Sequence, residues 1–418
     1  MDPQKRQATV DLAPPPKRAG VSDRAARTGA GGWDLSEASG SLDTVYATLG
    51  VLGRGSFAEI NLVRHRETGE LRALKFCCKL DAPSFGHLRA EATLASKVSH
   101  PFVLSPLAVS DSPGRAGNFS VLLPLCPGGD LLQLMRRQPT HSFSEAATRS
   151  FASMIVLGLR ALHDAGLAYR DLKPENLLVK PNGYLCLADF GFAATKAECK
   201  KKGTLVGTAL YQAPELLRKL PHDTSVDWWA LGCVILELVR GTSPFAADDD
   251  DAITSAVLAH MGGGVVPPEP PAQGALSTSC AATGLHAPPN LSSANPHLRF
   301  FVTSGMRRST TNLHLQLRLA SAPVVPAATT PSHGPVPPSA ALDDLCGKLL
   351  EPDSKQRLGA AAVGGAEALQ SHPWFASIDW VACGAMALPA PFVPPPLPES
   401  DTDALLLELS RRCQQGFD

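Results

Sequence analysis

Almost no net charge is left over in this sequence: 38 Lys and Arg stand against 39 Asp and Glu in 418 residues, a formal −1. So balanced a chain has no whole-molecule electrostatic reason to bind nucleic acid or an acidic membrane, and neither is an expected partner. No apolar run approaches the roughly 18 residues that a membrane span requires. The first residues, Met1 to Arg6, are polar and charged, so neither a leader nor a membrane span is expected. Asp2 stands where N-myristoylation needs glycine, so that anchor is not expected. The ten cysteines lack paired metal-ligand spacing, and only Cys77 and Cys78 are adjacent. That distribution fits reduced thiols rather than a disulfide framework, and the expected location is cytoplasmic. The pairs Lys5-Arg6 and Lys17-Arg18 leave nuclear entry open.

The texture of the chain changes along its length. Residues 1–43 are rich in Pro, Ala, Gly and charge without apolar periodicity, and are expected to form a disordered tail. From Val45 onward short apolar runs (Val45–Val51, Ile60–Val63, Leu71–Phe76) separated by Gly or charged turns predict antiparallel strands. Beyond Pro127 the spacing turns helical. Ser144 is placed to cap a helix with Phe151, Ile155, Leu159 and Leu162 on one stripe, ending near Gly166. A second helix, over about 226–239, is apolar nearly all round, as a helix at the centre of a lobe would be. Residues of about 262–340 carry Pro-Pro pairs, a triple glycine and Ala/Ser/Thr-rich sequence. Such a stretch cannot bury enough surface to offset its ordering entropy, and it is expected to be a disordered insertion in which only Leu313 to Leu319 alternates like a strand.

Against that background several polar residues fall in a pattern that carries chemistry. Gly53-Arg-Gly55-Ser56-Phe-Ala58 lies between two predicted strands, where missing side chains let backbone N–H groups close over phosphates. Alone it reads more readily as a hairpin turn. Lys75 ends a strand beside that loop, and Glu91, on a helical segment predicted over His87–Val98, is placed to hold its ammonium in an ion pair. The string Tyr169-Arg170-Asp171-Leu-Lys173-Pro-Glu175-Asn176 puts a carboxylate, a cation and a carboxamide within six residues of one loop. That set can orient a hydroxyl, shield a transferring phosphoryl group and bind a divalent cation. Asp189-Phe-Gly191 follows the next short strand and supplies a second cation ligand.

In order and spacing these residues resemble the signature of the eukaryotic protein kinases, over about residues 45–375 apart from the insertion. The resemblance implies an α+β fold of two lobes, a small antiparallel β lobe (about 44–126) and a larger, mainly helical lobe (about 127–375). It implies ATP and Mg²⁺ as cofactors, with Lys75 on the α- and β-phosphates, Asp171 as the base, and Lys173 on the γ-phosphate. Asn176 and Asp189 would bind Mg²⁺. Gly53, Gly55 and Ser56 would cover the nucleotide, Leu123 would be the gatekeeper, and the hinge to Cys126 would receive adenine. Lys173 is similar to the serine/threonine class. Tyr169-Arg-Asp, Asp189-Phe-Gly-Phe-Ala193, the run from Gly207 to Glu215 and His372-Pro-Trp-Phe375 resemble the AGC group, and within it the kinases regulated by cyclic nucleotides. Residues 376–418, with Pro391-Phe-Val-Pro and Asp401-Thr402, resemble the C-terminal tail of that group.

From the same resemblance, Thr204 would be the activating phosphosite, with Arg170 to pair its phosphate. Asp130, Glu175 and Glu237 would receive arginines of protein substrates with basic residues before Ser or Thr, and Arg307-Arg308-Ser309-Thr310 is itself such a sequence. An upstream kinase or a separate regulatory subunit is an implied partner. Glu215 and Arg357 would form a buried pair, Asp227 would receive backbone N–H groups of the catalytic loop, and His163 would be a packed helix-end residue. Ala58 replaces the third glycine of the loop, Ala95 a larger residue one turn after Glu91, Leu210 an acidic residue, and Leu405 an aromatic of the tail. The alternative readings are a scaffold that uses this fold without turnover and a small-molecule kinase of related fold.

Overall fold

The computed structural model describes residues 42–54, 58–77, 82–112, 118–201, 207–260, 339–398 and 402–413. Gly55, Ser56, Thr204, Asp401, the Arg307–Thr310 sequence and the strand-like Leu313–Leu319 lie outside the described residues. A single turn, α1 (Leu42–Val45), leads into β1 (Tyr46–Arg54), β2 (Ala58–His65) and β3 (Leu71–Cys77). Helix α2 (Ala82–Ala95), β4 (Ala108–Ser112) and β5 (Asn118–Pro124) complete this half. The five strands form one antiparallel sheet in the order β1-β2-β3-β5-β4.

Alternation sends Leu62 and Val63 of β2 to opposite faces of the sheet, and both are buried: Val63 packs with Leu74 and Leu122, and Leu62 lies on the other side. Helix α2 buries Leu88 and Ala92 against Cys77, Phe119 and Val121 of the sheet. The predicted segment 87–98 is shifted: the helix starts at Ala82, with Pro83 in its first turn, where the missing N–H costs nothing. It stops at Ala95, after which Lys97 and Val98 close tighter turns onto Leu94 and Ala95.

The second half opens with α3 (Leu131–Arg136) and α4 (Glu145–Asp164). Ser144 does cap α4, accepting from the Ala147 N–H, and Phe151, Ile155, Leu159 and Leu162 are all buried. Four short strands follow: β6 (Leu167–Ala168), β7 (Leu177–Val179), β8 (Leu185–Leu187) and β9 (Ala194–Thr195). They pair as two antiparallel ladders, β6 with β9 and β7 with β8. Then come α5 (Lys196–Cys199), α6 (Pro214–Leu217), α7 (Ser225–Arg240) and α8 (Asp250–Ala259). After the undescribed 261–338 the chain returns as α9 (Ala340–Leu349), α10 (Gly365–Gln370) and α11 (Trp380–Gly384).

Helix α7 is the hub. Fourteen of its residues, from Ser225 to Leu238, are buried, and it packs against both α4 and α9. The molecule is therefore an α+β structure of two lobes, with the apolar all-round helix at the centre of the larger one. A last helix, α12 (Thr402–Cys413), lies across β1 and α3. Its Leu405 and Leu409 are buried against Leu62, with Leu49 and Leu52 beside them.

Candidate active site

Sheet register fixes the first functional pair. Lys75 sits opposite Ile60 on β2 and Val121 on β5, so its side chain leaves the middle of the sheet rather than its edge. Glu91 projects from α2 and accepts from the Lys75 Nζ at 2.6 and 2.8 Å. Burial favours the neutral amine, yet the Glu91 carboxylate and the nearby Asp189 outweigh it and raise Lys75 above the ordinary lysine value. A fixed, partly dehydrated ammonium in this position suits phosphate oxygens. Gly53 adjoins a register shift in β1, where the strand bulges one residue before it ends at Arg54.

Across the cleft, the loop between β6 and β7 is held from below by Asp227. Its carboxylate accepts from the Tyr169 N–H at 2.9 Å and the Arg170 N–H at 2.7 Å, and it meets His163 Nε2 at 2.7 Å. His163 is thus an internal brace packed edge-on against Trp228. The suspended loop turns through Arg170 at φ 67°. Asp171, 4% exposed, emerges from it with its Oδ2 at 2.7 Å from Asn176 Nδ2 and 3.1 Å from Lys173 Nζ. Burial pushes the Asp171 carboxyl above the ordinary aspartate value, against the pull of Lys173. A carboxylate so placed can accept a proton and is oriented by two neighbours. Lys173 also donates to Thr208 Oγ1 at 3.0 Å, tying the loop to the segment after Gly207.

Asn176 spends both protons of its amide on Asp171, on the carbonyl at 2.9 Å and on the carboxylate, which leaves its Oδ1 as an acceptor. Asp189 follows β8 with φ 56°, a left-handed conformation that an aspartate tolerates. These oxygen donors fit a hard divalent cation. Among the described residues no group of three or more His, Cys, Asp or Glu is assembled as a metal site. Two protein ligands suit a cation that completes its shell with phosphate and water.

The wall of the cleft is apolar. Leu104, Cys126, Cys186 and Ala188 form one cluster with Leu123 and Leu178 packed on it, below the point where β5 leaves the sheet at Pro124. Leu123 faces Ala73 across the ladder. A flat heterocycle matches such a wall.

The three expected substrate carboxylates are all present in the large lobe, with different surroundings. Asp130 caps α3 through the Gln133 N–H at 2.9 Å, and burial, aided by Glu175, raises it to about 6. Glu237 accepts from the Tyr211 hydroxyl at 2.6 Å, and burial raises it to about 7. Thr208 and Tyr211 carry no expected role of their own, although both stand in the run from Gly207 to Glu215. The only signal was that run itself, since their partners Lys173 and Glu237 lie 35 and 26 residues away. The contact between the Cys126 and Cys186 sulfurs, 60 residues apart, left no trace in the spacing of the cysteines.

Residues 46–375 match the family model described as the protein kinase domain. Over 211 residues, 50% of this chain and 58% of the other, the sequence is 37% identical to cAMP-dependent protein kinase catalytic subunit 2 of Drosophila melanogaster. It is 32% identical over 262 residues to the cAMP-dependent protein kinase catalytic subunit PRKX of Mus musculus, covering 62% of this chain and 67% of that one. To the serine/threonine-protein kinase sgk-1 of Caenorhabditis elegans it is 35% identical over 215 residues, 50% of this chain and 45% of that one. The chain thus spans only 58%, 67% and 45% of the length of these relatives.

Proposed function

The chain belongs to the protein kinase family, with relatives of the AGC group, and on that premise we propose that it is an active serine/threonine kinase. It transfers the γ-phosphoryl group of ATP, bound with Mg²⁺, to Ser or Thr of proteins carrying arginines before the acceptor. The observation that supports turnover best is the closed Lys75–Glu91 pair, at 2.6 Å, facing a fully braced Asp171. A scaffold has no need of both at once.

In this reading Lys75 fixes the α- and β-phosphates. Asp171 orients the acceptor hydroxyl and takes its proton, while Lys173 offsets charge on the departing γ-phosphoryl. Asn176 and Asp189 would hold the cation, which when bound would supply neutralising charge to phosphate oxygens. Thr204, once phosphorylated by this or another kinase, pairs with Arg170, whose Nε already holds the Phe192 carbonyl at 2.7 Å. Thr204→Ala should then lower activity; full activity with no phosphate on the wild type would remove this switch.

A peptide-library assay on wild type and Asp171→Asn tests the main claim. Expected are faster transfer to Arg-Arg-x-Ser/Thr peptides than to acidic or proline-directed ones, and a loss of about a hundredfold or more in Asp171→Asn with ATP affinity retained. A substantially active Asp171→Asn protein would overturn the catalytic assignment, and equal rates on all three peptide classes would overturn the specificity.

A further inference from the structure

Cys126 and Cys186 have sulfurs 3.6 Å apart, in van der Waals contact, although they belong to different elements. Cys126 follows β5 in the hinge, and Cys186 is the central residue of β8, three positions before Asp189. Cys126 is 8% exposed and Cys186 2%. Behind Cys126, the Cys186 thiol points also to the Leu178 carbonyl at 3.7 Å. Both cysteines are buried and carry no disulfide.

We propose that Cys126 and Cys186 form a dithiol modification site, which oxidants of the peroxide class convert reversibly to a disulfide that closes the nucleotide cleft. The site lies on the wall that the proposed function assigns to adenine, and its effect on nucleotide binding rests on that reading.

The chemistry balances with one peroxide. The Cys126 sulfur, the more exposed of the two, attacks the O–O bond and becomes a sulfenic acid while one oxygen leaves as water. The Cys186 sulfur then displaces the sulfenic hydroxyl as a second water. Two thiols lose two electrons and two protons, and the peroxide gains both. A dithiol reductant reverses the step by exchange.

Geometry makes the product consequential. A disulfide needs its sulfurs at about 2.05 Å, so they must close by roughly 1.5 Å. Strand β8 is locked between β7 and the core, whereas Cys126 lies in a connection between lobes. The hinge therefore yields, moving toward the floor of the cleft and taking the backbone that would bind adenine with it. Contact with Cys186, together with burial, holds the Cys126 thiol well above the ordinary thiol range. Little thiolate is present at neutral pH, so the site responds to sustained oxidant rather than to traces. Bound nucleotide covers the approach to Cys126 and slows the reaction.

The test uses the full chain, reduced and then exposed to hydrogen peroxide with or without saturating ATP. Peptide mapping without reductant should find Cys126 joined to Cys186, with the yield lowered severalfold by ATP. Affinity for a fluorescent ATP analogue should fall about tenfold or more and recover with dithiothreitol. Cys186→Ala should bind nucleotide alike before and after peroxide; if that variant does not fold, Cys186→Ser serves, and mapping of the wild type scores the bond without any variant. Absence of the crosslink, or the same peroxide-induced loss in the Cys186 variant, overturns the proposal. Reduced protein that binds no ATP overturns the kinase reading instead, because the bond is scored by mass.

Discussion

At the scale of single residues, the carboxylate proposed as catalytic and those proposed to receive substrate arginines differ in what burial does for them. Asp171 is buried but answered by Lys173 and Asn176. Asp130 and Glu237 are buried with hydrogen-bond donors beside them, and their ordinary values rise to about 6 and about 7. Both are ionised above those values and neutral below them, and only the ionised form attracts a guanidinium. Arginine recognition should therefore weaken as pH falls through this window. Between about pH 8 and about pH 6, kcat/KM for an Arg-Arg-x-Ser peptide should drop on the order of tenfold more than for a peptide with both arginines replaced. The double variant Asp130→Asn, Glu237→Gln should show the same low ratio at every pH. A ratio that stays constant with pH in the wild type would separate these carboxylates from substrate binding. The residues proposed for the chemistry are legible in the sequence because they cluster in short strings, such as Asp171 to Asn176. Their environment is not, because the burial of Glu237 depends on Tyr211 and on a helix centre that no local string describes.

Among elements, those with strong periodicity were read within a residue or two: α4 from its Ser144 cap and α7 from its apolar circumference. The start of α2 was missed because its first turn carries Pro83 and Ser84 rather than an apolar stripe. Helix α12 falls within residues 376–418, which by resemblance form a C-terminal tail with no helix expected in it. Its pattern was visible, but nothing local said what would cover Leu405 and Leu409. In the structure they are 1% and 0% exposed, whereas Leu407 on the same helix is 54% exposed. Docking is completed by Arg412, which donates to the carbonyls of Pro127 and Pro395 at 3.1 Å each. The carbonyl of Arg412 lies so close to Gly129 that a Cβ there would fall 1.9 Å from it. Leu409→Ala should therefore cost about 2–5 kcal/mol, and Leu407→Ala within about 0.5 kcal/mol of nothing. Urea denaturation of both variants decides it. Equal, small effects would mean that α12 does not dock on the sheet in solution.

At the scale of the whole molecule, the large lobe must close over a long interruption, since the chain leaves after α8 and returns at α9 beyond the undescribed 261–338. What joins the two sides is Arg357, fully buried. Its guanidinium donates to Glu215 at 2.7 and 3.1 Å, a partner 142 residues away, and to the carbonyls of Ser225 and Glu351. It also lies over the Trp229 ring at 5.2 Å from the centroid. One side chain thus connects the segment after Tyr211, the start of the central helix and the returning chain. Two dehydrated charges gain little net stability as a pair, but removing one leaves the other uncompensated. Arg357→Met keeps most of the apolar volume and deletes the charge, so Glu215 is stranded, and the variant should lose about 3–5 kcal/mol. Glu215→Leu should be comparably damaging for the opposite reason. Combining the two removes both charges, and the double variant should be more stable than either single one by urea denaturation. If the two losses simply add, the pair is not the clasp, and the lobe is held by the packing of α7 against α4 and α9 alone.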